Sequence, residues 1–370
     1  MFKGHCFLLS ICATLIFVMG LVMIFNTSSA EVIDLELSRN TSQALFKQLS
    51  YGLVGFLLAY GLWKMGYQSF LSLSPFLLAI GCLLLILTLI PGIGKEVNGS
   101  RRWLGVGGFS FQPSEFVKYL VPAFFIQYVG NRSGKEITLK FFLKLVAIVG
   151  LPVLLIFIEP NNGTAGVIGL TIILMCVLTA IPLKYWIVPL AAVSLVGLIT
   201  AFHLPYVAAR IQVYLHPELD LQGKGHQPYQ AKIAAGSGQV WGRGPGNSLQ
   251  KLSYLPEAQN DYIAAIYAEE FGFIGISLLI FLYMVIGLIG FSIAYLAASR
   301  AGAELATAIT FLFTFQAFMN LGVVSGLLPS TGLNLPLFSQ GGTSLMANIM
   351  GLGLLLSIGM EPKERGVFSE

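Results

Sequence analysis

The chain has 370 residues, of which 56% are hydrophobic and only 10% charged, with a mean hydropathy of +0.80. Soluble domains carry roughly 25% charged residues, so this composition excludes a water-soluble enzyme and makes the bilayer the solvent. The formal charge of +4 is the Lys/Arg excess expected of cytoplasmic membrane loops, not a sign of nucleic-acid binding, and long unbroken apolar runs exclude a β-barrel.

The first apolar run, 6–26, follows Lys3 and precedes the small residues Ser28, Ser29 and Ala30. It exceeds the usual 7–15 residues of a signal-peptide core, so it reads as a retained span. Further spans are expected at 47–66, 71–91, 113–130, 141–158, 164–182, 185–203, 263–295, 305–328 and 343–360. The fold class is therefore all-α, a polytopic membrane protein of about ten helices forming a single transmembrane domain over 1–370. The 263–295 run is long enough to begin as an interfacial helix outside the membrane. Lys64, Arg132, Lys135, Lys140, Lys184, Arg300, Lys363 and Arg365 fall on one side, which the positive-inside bias makes the cytoplasm. Both termini are then cytoplasmic, and the acidic loop with Glu31, Asp34 and Glu36 lies outside. Cys6, Cys12, Cys82 and Cys176 sit in apolar stretches without metal-ligand spacing, so no metal site is expected.

Two outer segments depart from simple connections. Residues 92–112 carry Lys95, Arg101 and Arg102 on the side that should be poor in cations. Residues 204–262 form a large extracytoplasmic loop before the eighth span, far longer than a connection requires. Its Tyr206, Tyr214, Tyr229, Trp241 and Tyr254 are too aromatic for plain disorder, so it is expected to pack over the outer mouth of the bundle.

Charged groups at the edge of hydrocarbon mark candidate sites. Glu115 and Lys118, at i and i+3 behind Pro113, should meet on one helix face, and with Arg101 and Arg102 they suggest an anion cradle. The glycine-rich 236–246 stretch lacks the strand and helix of a nucleotide loop and reads as tight turns carrying Arg243 toward a ligand. Asp261 stands where the long loop re-enters the membrane; by position alone it reads first as an N-cap, with a functional acid as the alternative. Its distance along an ideal helix from Glu269, about 12 Å, does not suit a hydrolase pair. Hydroxyls, prolines and glycines over 329–344 read as irregular backbone against protein or a wet cavity.

In this order, the segments 98–103, 112–118, 159–164, 256–270 and 329–344 resemble the SEDS (shape, elongation, division and sporulation) family of bacterial membrane proteins. The resemblance covers about 45–360, and 246–261 looks more like its division branch, FtsW, than its elongation branch, RodA. It implies ten helices and a peptidoglycan glycosyltransferase of the bacterial cytoplasmic (inner) membrane that polymerises lipid II into β-1,4 glycan strands. It implies that Asp261 is the essential acid, and that Arg102, Trp103, Glu115 and Lys118 match positions on which relatives depend. The same chemistry would place Arg101, Arg210, Lys251 and Ser339 at the substrate. Expected partners are lipid II, membrane lipids, a class B penicillin-binding protein transpeptidase, and other divisome or elongasome membrane proteins. A divalent cation requirement stays open, as do the alternatives of a lipid II flippase and a non-catalytic scaffold. Two departures stand out, Asn161 where relatives usually have Asp and Gln340 where they usually have Tyr. Asn161 is expected to accept a hydrogen bond from Lys118.

Overall fold

The computed structural model describes residues 2–35, 42–97, 100–106, 109–132, 136–191, 214, 225–252, 255 and 258–361. Its elements in chain order are α1 (Phe2–Leu35), α2 (Gln43–Met65), α3 (Tyr67–Leu89), β1 (Gly94–Val97), β2 (Ser100–Val106), β3 (Phe109–Phe111), α4 (Pro113–Gly130), α5 (Leu139–Ile158), α6 (Asn162–Leu178), α7 (His226–Ser237), α8 (Ile263–Leu296), α9 (Arg300–Val324) and α10 (Gly342–Gly359). Nine of the ten expected spans coincide with α1 to α6 and α8 to α10. Most of the expected 185–203 span lies outside the described residues. Among those residues, seven helices are long and apolar enough to cross a bilayer. α4 and α6 are excepted: α4 carries a buried ion pair and α6 has only 17 residues.

The helices divide by what their side chains meet. α1, α2 and α5 leave Phe7, Val22, Leu53, Phe56, Leu154 and Phe157 on the outside, where lipid receives them at no polar cost. α4 and α10 are buried along most of their length and form the centre. Small residues allow α2 to approach α10 closely, since a Cβ built on Gly353 would stand 2.6 Å from that of Ala59. α2 turns into α3 at Gly66, whose φ of 82° is the left-handed conformation that glycine adopts without penalty.

Two features depart from the helical expectation. The glycine-rich 92–112 segment folds as a three-stranded antiparallel sheet in the order β1-β2-β3. Tyr51 of α2 anchors it, accepting from the Ser110 amide at 3.0 Å and donating to the Ser110 carbonyl at 2.9 Å. The long run 263–295 is not one continuous helix. Its first arm is buried within the protein, and α8 is broken at Gly272, where φ is 65° and ψ −161°. The break parts the 269 and 270 carbonyls from the 273 and 274 amides, which a continuous helix would pair. The loop segment 239–244 inserts there. Arg243 N donates to Glu269 O at 2.9 Å and Gly244 N to Glu270 O at 3.0 Å, while Phe273 N and Ile274 N donate to Gln239 O at 2.8 Å and Val240 O at 3.3 Å. All four opened groups are thus satisfied, the condition for irregular backbone among membrane helices.

Candidate functional site

At the sheet-bearing end of the bundle is a cavity of about 1040 Å³, lined by the first turns of α2, α4, α6 and α10, the last turns of α9, the sheet, and the 329–334 and 260–261 segments. Its upper wall is polar and charged, with Lys47, Lys95, Arg102, Glu115 and Asp261. Its lower wall is apolar, with Val167 and Leu170 of α6 and Phe315 and Met319 of α9. Leu170 lies about 12 Å along α6 from Asn162, so the cavity reaches well below the helix ends into the hydrocarbon zone. Leu170 is also exposed on the bundle surface, which leaves this wall open toward lipid.

The structure brings some of the expected site residues to this cavity and leaves others outside it. Asp261, Arg102, Trp103 and Glu115 line it. The N-cap position of α8 belongs to Tyr262, one residue past Asp261. The Asp261 carboxylate lies near Gly332, with one oxygen 3.8 Å from a Cβ built there. Its backbone is fixed by Asn320, whose amide donates to the carbonyls of both Asp261 (2.8 Å) and Leu333 (2.7 Å). Lys118 is buried beneath the cavity; it donates to Glu115 at 2.6 Å and to Gln316 at 2.8 Å. Gln316 in turn donates to Asn334 O, and Asn334 donates to Gln340 O, both at 2.8 Å. Lys118 therefore holds the floor and the 334–340 turn through a chain of polar groups, and does not itself reach the cavity surface.

Arg101 points away and pairs with Glu96 at 2.9 Å on the surface, a contact weakened by solvent. Lys251 lies elsewhere in the fold, buried against Glu270 (2.9 Å), Asn26 (2.7 Å) and Gly246 O (2.6 Å). Ser339 is buried, and its hydroxyl accepts from Leu335 N at 2.9 Å to form a tight turn. Arg243 is not carried to the cavity either, since its guanidinium stands 3.5 Å from Glu269. The expected bond from Lys118 to Asn161 is absent; the Asn161 amide donates to Ser114 at 3.3 Å, because Glu115 and Gln316 occupy the ammonium instead. Arg210 lies outside the described residues, as do the rest of 204–213 and 215–224. Within that loop, Tyr214 donates to Leu327 O at 2.7 Å, and Gln227 of α7 lines the cavity.

The structure also adds residues that sequence reasoning passed over. Lys47, on the first turn of α2, joins Lys95 and Arg102 as cavity cations. Gln316 and Asn320, one helical turn apart in the mostly apolar second half of α9, are the polar pair that could have flagged this face.

Glu159, at the turn between α5 and α6, has no exposed surface. Burial pushes its carboxyl up to about 7, and this outweighs the Thr88 hydrogen bond and the charge of Arg102, which pull it down. The Thr88 hydroxyl contacts both Leu85 O, at 2.6 Å, and Glu159 Oε1, yet it has one proton to give. Thr88 therefore shares that proton between the Leu85 carbonyl and the Glu159 carboxyl, which accepts. Arg102 binds the carbonyls of the same turn, Glu159 O at 3.2 Å and Pro160 O at 2.9 Å. The turn thus seats Arg102 through its backbone carbonyls. Among the described residues no group of three His, Cys, Asp or Glu side chains gathers.

Comparison with known proteins places these features in a family context. A family of cell cycle proteins comprising FtsW, RodA and SpoVE matches residues 6–364. The probable peptidoglycan glycosyltransferase FtsW of Nitrosomonas europaea is 37% identical over 357 residues, covering 94% of this chain and 92% of the relative. The stage V sporulation protein E of Bacillus subtilis is 36% identical, covering 95% and 96%. Among solved structures, a chain of a peptidoglycan synthase complex that coordinates polymerisation and crosslinking aligns with a TM-score of 0.74 at 27% identity, covering 96% of this chain and 97% of its own. The rod shape determining protein RodA of Thermus thermophilus aligns at 0.65 and 26%, covering 96% and 95%.

Proposed function

Because the chain belongs to the FtsW, RodA and SpoVE family of cell cycle proteins, we propose a division-type peptidoglycan glycosyltransferase in which Asp261 is the base and Arg102, with Lys47 and Lys95, receives the leaving pyrophosphate. The observation that carries this reading is the two-part cavity, with charged groups above and an apolar wall reaching into the membrane below. Such a lining suits a lipid-linked sugar whose head is a polyanion and whose tail stays in the bilayer. A class B transpeptidase fits as partner, by analogy with the synthase complex. We place the protein in the bacterial cytoplasmic membrane as one transmembrane domain over 1–370, with the cavity outside and both termini cytoplasmic.

Chain growth requires the 4-hydroxyl of an acceptor sugar to attack the anomeric carbon of a lipid-linked donor. Asp261 takes the hydroxyl proton as the oxygen–carbon bond forms. The bond from the anomeric carbon to pyrophosphate breaks, and the leaving group departs with the electron pair. Cations neutralise the departing charge, so no acid is required on that side. Arg102 is the best suited of the three, since its planar fork matches phosphate oxygens and two carbonyls fix its orientation. Attack from the face opposite the leaving group turns an α-linked donor into a β-1,4 product. Trp103 stands beside Arg102, with the guanidinium 5.9 Å from its ring centroid, and offers an apolar face to a sugar.

The test is purified protein with lipid II, scored by glycan length on a gel. Asp261→Asn should abolish polymer while preserving monodisperse, folded protein, because amide and carboxylate are nearly isosteric. Polymer within a few-fold of wild type would refute the base assignment. Translocation of labelled lipid II without polymer formation would favour a flippase.

A further inference from the structure

The opposite end of α4 carries a second concavity that the reaction does not use. It has a volume of about 380 Å³ and is lined by Tyr128, Asn131, Arg132, Thr138, Lys140, Phe141 and Lys144. Tyr128 lies about 20 Å along α4 from Glu115 of the catalytic cavity, which puts this pocket at the other membrane face. Three of its lining residues are cations and none is an acid. Arg132, Lys140 and Lys144 form no ion pair among the described residues. The floor is built: Tyr128 and Phe141 stack at 4.9 Å, and the Arg132 guanidinium sits 4.5 Å above the Phe141 ring. The pocket also lies at a helix N-terminus. Thr138 accepts from Phe141 N, and the remaining first-turn amides of α5 share the site's positive potential.

We propose that this pocket binds the phosphate of an anionic phospholipid headgroup. A lipid is favoured over a soluble anion because Leu139 and Leu143, each one residue before a pocket lysine, are exposed on the same helix where acyl chains would run. Basic pockets between membrane helices on the cytoplasmic side are a recurrent headgroup site, and each surface cation adds about fivefold to such binding. The inference does not depend on the glycosyltransferase reading, and its test needs no activity assay.

Full-length protein is equilibrated in phosphatidylcholine nanodiscs containing phosphatidylglycerol, and the lipids retained after gentle release are counted by native mass spectrometry. Wild type should retain phosphatidylglycerol in preference to phosphatidylcholine. The triple variant R132Q/K140Q/K144Q should lose that preference by at least about tenfold, whereas K64Q should keep it. Lys64 is the control because it is a cation 5.5 Å from the Trp63 ring that lies outside the pocket. If the triple variant is not monodisperse, K140Q and K144Q are read singly, and the charge-preserving K140R/K144R should restore retention. Equal retention by wild type and the neutralised variants would overturn the proposal. Displacement of the lipid by inorganic phosphate at matched concentration would overturn the lipid assignment in favour of a soluble phosphate. Displacement by an acidic peptide would do so in favour of a protein partner.

Discussion

Glu159 is a carboxylic acid with no solvent-exposed surface, held beside an arginine that faces the large cavity. Its carboxyl is raised from 4.5 to about 7 by burial, so the folded protein binds this proton more tightly than the unfolded chain. Between those two values the unfolded chain has released the proton and the folded chain has kept it, so stability falls as pH rises through that window. Below it the acid makes no difference, and above it the whole penalty is present. Glu159→Gln imitates the protonated acid, since its amide is neutral and its oxygen can accept from Thr88 as the carboxyl oxygen does. The variant should therefore equal wild type in thermal stability at pH 4 to 4.5 and exceed it at pH 8, a window set by the same shift. Melting curves of detergent-solubilised protein across that range measure it, and parallel curves for the two proteins would show that the acid is ionised when folded. Sequence reading reached Asp261, Arg102 and Glu115 because charge beside hydrocarbon is conspicuous. It could not tell a charge facing a cavity from one locked in a pair, which is why Lys251 and Arg101 were grouped with Arg102. Partners such as Glu270 and Glu96 become visible only when the chain is folded.

The helices of the bundle were legible because their length and apolar content are imposed by the bilayer, and nine expected spans fall on helices. What escaped was structure set by contacts distant in sequence. No alternation in 94–111 announces a sheet, which forms because Tyr51 and Thr343 supply partners for its last strand. Likewise the unbroken apolar pattern of 263–295 conceals the interruption at Gly272, whose opened backbone is closed by a loop some thirty residues earlier. A side chain at Gly272 would meet Gly242 N at 2.3 Å and Val240 O at 2.6 Å, in a backbone conformation that L-residues rarely adopt. Gly272→Ala should therefore destabilise the protein by at least about 2 kcal/mol. Gly236→Ala, in the helical α7 with nothing within 4 Å of the added carbon, should be neutral or slightly stabilising. Thermal unfolding by fluorescence-detected size exclusion compares them. A stable Gly272→Ala would mean that the loop does not occupy the broken helix.

At the scale of the whole molecule, the large cavity and the cationic pocket occupy opposite ends of α4, so a single fact, which end faces the cytoplasm, orients both. The positive-inside bias assigns the cytoplasm to the end with Lys64, Arg132, Lys140 and Lys144, even though the cavity end also carries Lys47, Lys95, Arg101 and Arg102. The conflict resolves by what those cavity-end cations do. Arg101 is paired with Glu96, and Lys47, Lys95 and Arg102 line a cavity suited to a polyanion, so on the proposed reading function accounts for cations at that end. Loop charges at the other end have no such employment in catalysis and are free to act as topology signals. Cysteine labelling decides the orientation in a background where Cys6, Cys12, Cys82 and Cys176 are replaced. All four are free thiols, and three of them are buried, so no disulfide is lost. Arg101→Cys, at a half-exposed surface position, should react with a membrane-impermeant maleimide in intact spheroplasts. Asn131→Cys, exposed at the far end of α4, should react only after permeabilisation. The reverse pattern would put Asp261 and its cavity in the cytoplasm, where no externally displayed glycan strand could be extended, and would overturn the topology and the proposed reaction together.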